Sequence, residues 1–155
     1  MAVERRAWLA TLRFVAAICG GVAIGLGAYT FVYARGASYL TNDPLACGNC
    51  HVMHEQLHAW QKSSHHSVAA CNDCHTPPGV VRKYLTKAEN GFWHSFAFTS
   101  GRFPEPIRIT ARNRAVTEEA CRHCHAAIVD AMDASHRPGD ALACIACHRN
   151  AGHLH

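Results

Sequence analysis

The sequence predicts a mostly α-helical protein with little other regular structure: a single N-terminal transmembrane helix followed by one small domain. Two observations support this fold class. Residues 14–34 carry no charge, and about 21 mostly apolar residues at 1.5 Å each are enough to cross a bilayer. After that run, four C-x-x-C pairs account for all but one of the nine cysteines. We therefore expect a cytoplasmic tip and anchor over residues 1–36 and an extramembrane domain over residues 37–155.

Basic residues before the apolar run predict its orientation. Arg5, Arg6 and Arg13 precede it, so the positive-inside rule places the N-terminus in the cytoplasm and the following domain in the periplasm. A cleaved signal peptide is the alternative, but its apolar core would be only ~7–15 residues long and would end at a small-residue cleavage site. We therefore predict an uncleaved, single-pass anchor in the bacterial inner membrane.

Each cysteine pair is followed directly by a histidine, which makes C-x-x-C-H, the attachment signature of a c-type haem. Two cysteines at this spacing reach the two vinyl groups of one porphyrin, and the adjacent histidine can bind its iron. The first two motifs begin 24 residues apart and the last two 23 residues apart, which indicates two di-haem halves. We predict four covalently attached haems c, held by Cys47, Cys50, Cys71, Cys74, Cys121, Cys124, Cys144 and Cys147, with His51, His75, His125 and His148 as the motif histidines.

Zinc sites and disulfides are the alternatives for paired cysteines, and the histidines decide against both. Neither a zinc ribbon nor a periplasmic disulfide needs a histidine directly after every pair. Histidine makes up 13 of 155 residues, so four such histidines by chance have odds of about 5 in 100,000. Four haems leave a domain of this size little room for a side-chain core. We therefore expect short helices wrapped around the haems, two of them over 52–62 and 120–132, with almost no sheet.

Other side chains are candidates for the second axial position of these haems. Met53 stands two residues after the first motif histidine and brings a thioether to the first haem. A single histidine is more often a surface residue than a ligand, but four irons in a small domain raise the odds of ligation. The candidates close to a motif in sequence are His65, His66, His136 and His153.

The segment 80–101 contains no cysteine but shows an amphipathic helical pattern, which Gly91 weakens without breaking. Lys87 and His94 are seven residues apart and therefore share one helix face. The plain alternative is a surface helix whose aromatic residues pack on a haem. The functional interpretation is a helix in the lipid interface with Lys87 and His94 directed at a quinone headgroup. Quinol oxidation needs a hydrogen-bonding or basic group at the hydroxyl, which both residues could supply.

The charge balance gives little support to a nucleic-acid partner. Lysine and arginine exceed aspartate and glutamate by 15 to 11. These positive residues do not alternate with aromatic residues along one stripe, as they would in a nucleic-acid groove. The lipid bilayer and redox proteins are therefore the expected partners, and nucleic acid is not.

The membrane helix, the four C-x-x-C-H motifs and the sequence C-x-x-C-H-x-M at Cys47–Met53 together resemble the NapC/NirT family of membrane tetrahaem quinol dehydrogenases. Within this family, the short chain looks most like the small subunits of cytochrome c nitrite reductases. The resemblance implies a membrane-anchored enzyme that oxidises menaquinol (or ubiquinol) from the membrane quinol pool. It also implies a periplasmic multihaem reductase as partner, namely the pentahaem cytochrome c nitrite reductase.

The resemblance implies roles for individual residues as well. Met53 would bind the first haem iron in place of the motif histidine, and Lys87 would contact the quinol. The distal ligand of the fourth haem would be His65 or His66, with His65 preferred. His153 would be the distal ligand of the third haem.

Two positions depart from the small subunits. His94 stands where they carry an aspartate near the quinol, so it could accept a proton or bind the first haem iron. The second haem of the small subunit takes its distal ligand from a lysine of the catalytic partner, whereas here His136 could supply one within the chain.

Three other functions use the same motifs. The chain could donate electrons to another periplasmic reductase, such as a nitrate reductase, or it could be an anchored electron shuttle without a quinol site. A small terminal reductase that acts on nitrite at an open iron is the third. The sequence offers no dedicated catalytic haem pocket for that role, which therefore ranks lowest.

Overall fold

A computed structural model describes residues 2–133 and 143–154. No β-strand occurs in these residues, and the prediction of a mostly α-helical chain with one N-terminal apolar helix is confirmed. Short 3-10 turns cover Gly36–Leu40 and His51–Met53. The α-helices are α1 Ala2–Tyr33, α2 Pro44–Cys47, α3 His54–Gln61, α4 Cys71–His75, α5 Val80–Ser100, α6 Ala111–Cys124, α7 Ala126–Asp133 and α8 Cys144–Cys147.

The chain divides into two compact units, Met1–Ala37 and Ser38–His155. The first unit is the 32-residue helix α1. Its segment Val3–Tyr33 is long and apolar enough to cross a membrane, and none of its apolar stretch is buried inside the protein. A helix whose apolar side chains all remain accessible is suited to a lipid environment, where backbone hydrogen bonds are satisfied within the helix itself.

The second unit contains almost no core of side chains. Its buried apolar residues are Ala59, Pro77 and Ala120, and its buried polar residues are Thr76, Thr86 and Lys87. Among the described residues, no large side chain is fully buried. A helical domain of this size normally buries leucine, isoleucine and phenylalanine at its centre. The interior of this unit is therefore left to something other than side chains.

The helix predicted over 120–132 is wrong in its limits. It is replaced by the longer α6 and by α7, which are separated at His125. α6 begins at Ala111 because the Thr110 hydroxyl accepts a hydrogen bond from the backbone N–H of Asn113, 3.3 Å away. The helix predicted over 52–62 is a 3-10 turn followed by α3.

The helix predicted over 80–101 is confirmed as α5. It continues through Gly91, where a Cβ would make ordinary van der Waals contact with the ring of Tyr39, 3.5 Å away. The helix ends after Ser100 because Gly101 adopts a left-handed conformation with φ of 67°.

Candidate haem sites and quinol site

The four C-x-x-C-H segments lie next to one another in the order of the sequence. Helix α2, which ends at Cys47, packs on α4; α4 packs on α6, which ends at Cys124; and α6 packs on α8. The thiols of Cys47 and Cys71 are close enough for their interaction to lower the pKa of Cys47 and raise that of Cys71. The thiol of Cys121 in the third motif is close enough to that of Cys144 in the fourth for the charge of Cys144 to raise the pKa of Cys121. The fold therefore brings all four motifs into one series.

Two pairs of histidine rings lie close to each other, one pair edge-on and the other tilted. The ring centroids of His65 and His125 are 6.0 Å apart, and those of His75 and His153 are also 6.0 Å apart. Two imidazoles on opposite sides of one metal, each with a metal–nitrogen bond of about 2 Å, have ring centroids about 6 Å apart. Both separations therefore fit an iron between the rings.

The outer nitrogens of the two distal candidates are already engaged. Nδ1 of His65 donates to the carbonyl of Ala151 at 3.0 Å, and Nδ1 of His153 donates to the carbonyl of Gln56 at 3.0 Å. Metal-binding histidines usually donate their second ring N–H in this way, which fixes the tautomer and the ring orientation. In both residues Nε2 is then the nitrogen with a lone pair for iron.

The surroundings of the His75 ring favour its neutral form. The residue has an exposed surface, yet burial in the surrounding protein, together with His153 and His94, lowers its pKa to about 4. Its neutral form is the one that binds a metal, so this environment fits a porphyrin iron.

An open cleft of ≈ 570 Å³ adjoins the fourth motif and is lined by Cys147, His148 and His65. This volume lies within the range of cofactor sites, about 300–1,000 Å³. Of the two candidates before the second motif, it is therefore His65 that lies at a predicted haem site. The ring of His66 instead packs edge-on against Trp60, with centroids 5.0 Å apart.

The ring positions differ from the pairing that the resemblance implied, and that pairing stays a prediction. His153 was expected opposite the third motif histidine, His125, but it lies beside the second, His75. His65 was expected opposite the fourth motif histidine only, and it lies beside His125 as well as at the cleft of the fourth motif. The cause is the C-terminal segment, which returns to α3, where the N–H of Leu154 donates to the carbonyl of Ala59 at 3.1 Å.

For three further predicted ligands, no contact with another predicted ligand is described. Met53 is partly buried at the end of a 3-10 turn, and His51 is exposed at the start of the same turn. The two residues thus lie two positions apart in one short segment. His136 lies outside the described residues.

Lys87 is one of the few buried residues of the second unit, with 7% of its surface exposed. Its ammonium donates to the carbonyl of Thr41 at 2.6 Å and to Oδ1 of Asn42 at 3.5 Å. The side-chain amide of Asn72 donates to the same two acceptors, at 3.0 and 3.2 Å. Burial and the neighbouring Lys83 lower the pKa of Lys87. Asn72 could not be found from the sequence, because the two central positions of C-x-x-C tolerate almost any residue.

Lys87 and His94 adjoin different motifs. Lys87 is near enough to Cys47 of the first motif to interact with its charge, and His94 is near enough to lower the pKa of His75 of the second motif. Burial in the surrounding protein lowers the pKa of His94 itself. The two residues lie two turns apart on one helix, as predicted.

The outer face of α5 is apolar and accessible. Phe92, Trp93 and Phe96 contact one another through their rings and remain 62%, 54% and 46% exposed. Val81 and Leu85 extend this face toward the start of the helix, with 73% and 64% exposed. An exposed apolar patch of this kind marks a membrane or protein contact.

Comparisons with known proteins place the chain in one family. Residues 8–155 match the N-terminal region of the NapC/NirT cytochrome c family. The cytochrome c-type protein NrfH of Wolinella succinogenes is 37% identical over 142 residues, which cover 85% of this chain and 80% of the relative. The cytochrome c nitrite reductase subunit NrfH of Nitratidesulfovibrio vulgaris is 30% identical over 140 residues, with 88% and 82% covered.

A solved structure agrees with this relationship. The fold is similar to a chain in the crystal structure of the cytochrome c nitrite reductase NrfHA complex bound to the HQNO inhibitor, with a TM-score of 0.64 and 26% identity. The match covers 88% of this chain and 90% of that chain. The protein described here therefore belongs to the NapC/NirT cytochrome c family, whose members carry covalently bound haem c.

Proposed function

We propose that this chain is a membrane-anchored tetrahaem cytochrome c that oxidises menaquinol (or ubiquinol) and passes the electrons to a periplasmic cytochrome c nitrite reductase. The observation that carries the proposal is the series of four adjacent C-x-x-C-H segments with Lys87 beside the first of them. The two NrfH relatives, which cover most of the chain, support nitrite reductase as the partner.

The residues fit four haems. The eight motif cysteines would hold them, with Met53 or His51 on the first iron and His75, His125 and His148 on the others. His153 and His65 would complete the coordination of two of these irons, since their rings face motif histidines at 6.0 Å. When bound, haem iron supplies one-electron oxidation and reduction, with a potential set by its ligands and by nearby charge.

The quinol site would be built around Lys87. A quinol that becomes a quinone releases two electrons and two protons, so the site must bind the hydroxyl oxygens and accept protons. The ammonium of Lys87 is already held by Thr41 and Asn42, which orients one of its remaining N–H groups toward a substrate oxygen. His94 is the proton acceptor of this proposal, because burial keeps its imidazole neutral near pH 7.

Substrate would reach this site from the lipid. α5 contacts the segment that follows the apolar helix in sequence, through Tyr84 to the carbonyl of Leu40 and through Lys87 to Thr41. Its aromatic face would lie in the headgroup region, where amphipathic helices rich in tryptophan and phenylalanine bind. The basic residues before α1 favour an N-terminus in the cytoplasm and a haem domain in the periplasm.

Mixing the purified full-length protein in detergent with a reduced naphthoquinone tests the quinol site. After mixing, we expect the haem absorbance spectrum to change from that of oxidised to that of reduced haem. Absence of reduction by the quinol, with full reduction by dithionite, would show an electron shuttle without a quinol site and would overturn the proposal. Co-purification from native membranes tests the partner. Recovery of a reductase other than nitrite reductase would show that nitrite reductase is not the electron acceptor of this chain.

The variant Lys87→Leu tests the residue at the centre of the site. We expect the rate of quinol-driven reduction to fall about 10²-fold, the lower end of the range for a lost acid–base group. Dithionite should still reduce all four haems. Lys62→Leu is the control, because Lys62 is exposed at the end of α3. Equal quinol kinetics in the two variants would refute the role of Lys87.

A further inference from the structure

The fourth C-x-x-C-H segment is held by a carboxylate from the third. Glu118 lies in α6, three residues before Cys121. Its Oε2 accepts the backbone N–H of Cys144 at 2.9 Å, and its Oε1 accepts the backbone N–H of Ile145 at 3.0 Å. One side chain thus binds the first two amide groups of α8.

The length of α8 makes this contact important. The helix covers only Cys144–Cys147, and a helix of one turn cannot stabilise itself, because nucleation costs more than one hydrogen bond returns. Its first N–H groups have no partner within the helix. Ala143, at the N-cap position, supplies no side-chain acceptor. Glu118 takes over this role from 26 residues away along the chain.

The other short attachment helices are capped by acidic residues close in sequence. Asp43 accepts the N–H of Leu45 at 2.9 Å at the start of α2, and Asp73 accepts the N–H of Ala70 at 2.8 Å at the start of α4. These contacts fix each helix locally. The contact of Glu118 instead fixes the position of one attachment segment relative to another.

Glu118 also brings a charge to this position. Burial acts to raise its pKa, but the N–H groups of Ile145 and Cys144 and the nearby Arg122 lower it overall. The carboxylate is therefore ionised at neutral pH. A negative charge close to a haem favours the oxidised iron, which carries one more positive charge than the reduced iron, and so lowers the reduction potential.

We propose that Glu118 is a positioning residue for the fourth haem, which sets both where its attachment segment lies and how strongly its iron holds an electron. This inference rests on the proposed attachment of a haem at Cys144 and Cys147. The mass of the wild-type protein separates the two ideas. A mass without a fourth haem rejects the proposed function, whereas four haems leave Glu118 to be judged by its variants.

The deciding experiment is a spectroscopic redox titration of Glu118→Gln, with Glu119→Gln as the matched control. The two substitutions remove the same charge from adjacent residues of α6, but Glu119 pairs with Arg82 on the surface. We expect Glu118→Gln to keep four haems and to raise one midpoint potential, with about a tenfold shift of that reduction equilibrium, which is 59 mV for one electron. Glu119→Gln should titrate like the wild type.

Two outcomes overturn the proposal. One is a titration of Glu118→Gln that superimposes on that of Glu119→Gln. The other is Glu118→Ala protein with four haems and wild-type potentials. We expect Glu118→Ala, which loses both hydrogen bonds, to yield a fraction of chains with three haems by intact mass. If this variant does not accumulate, the titration of Glu118→Gln decides the question alone.

Discussion

The two units of this chain are stable for different reasons. α1 satisfies its hydrogen bonds along 32 residues and leaves its apolar side chains accessible, so a bilayer is all the further support it needs. The second unit consists mostly of short helices, and its buried apolar residues are two alanines and one proline. Its conformational entropy has to be offset by burial, and the haems are the apolar bodies available for that burial. The comparison shows that one chain can use a lipid as solvent for one part and a cofactor as core for another.

Removal of the haems should have the largest effect, and it should affect the second unit but not α1. Protein produced without cytochrome c maturation should lose the helices of the second unit and keep α1, because only α1 is independent of the cofactors. Far-UV circular dichroism in detergent should fall to the signal of about one helix of the length of α1. Limited proteolysis should leave a fragment that contains α1. A haem-free protein with the full helical signal would contradict this account of the second unit.

Loss of one axial ligand should have a smaller, local effect. His153→Ala removes the ring that faces His75 at 6.0 Å, so one haem should change from low spin to high spin, which electron paramagnetic resonance detects. His75→Ala should change the spin state of the same haem. If the double variant His75→Ala/His153→Ala alters no second haem, the two histidines bind the same iron. His58→Ala is the control, since His58 is exposed on α3. A wild-type spectrum for His153→Ala would show that this ring is not a ligand.

The smallest effect is expected from the ion pairs on the surface. Arg82 and Glu119 join α5 to α6 through two hydrogen bonds, of 2.5 and 2.8 Å, but both side chains remain largely exposed. Arg82→Ala should therefore leave the midpoint of thermal unfolding close to that of the wild type, as for most exposed pairs. Thermal unfolding followed at the haem absorbance measures the change. A large fall of the midpoint would mean that side-chain contacts, not cofactors, hold the second unit together.

The sequence predicts the parts of this molecule that depend on periodicity or on a fixed spacing. The apolar run gave α1, and the pattern around Tyr84 and Leu85 gave α5 with its limits correct to one residue. The limits of α6 and α7 were wrong, because the break at His125 and the cap at Thr110 depend on local backbone geometry. Neither feature changes the apolar pattern from which the single helix was predicted.

The distal histidines show where sequence reasoning stops. Proximity to a motif in sequence identified His65 and His153 as candidates, but the choice of partner depends on how the C-terminal segment folds back over α3. The hydrogen bonds of Lys87 to Thr41 and of Glu118 to α8 span 46 and 26 residues. Contacts of this range follow from the tertiary fold, and no spacing rule in the sequence encodes them.

The order of the attachment helices, α2 on α4, α4 on α6 and α6 on α8, has a consequence for how the chain tolerates change. Elements connected in series have no bypass, so the slowest step limits the whole and one broken step stops it. Inactivation of an inner segment should then be as harmful as inactivation of an end segment, whatever its own exposure. Natural variation should accordingly concentrate on the outer faces of α3 and α7 and spare the junctions between the four attachment segments.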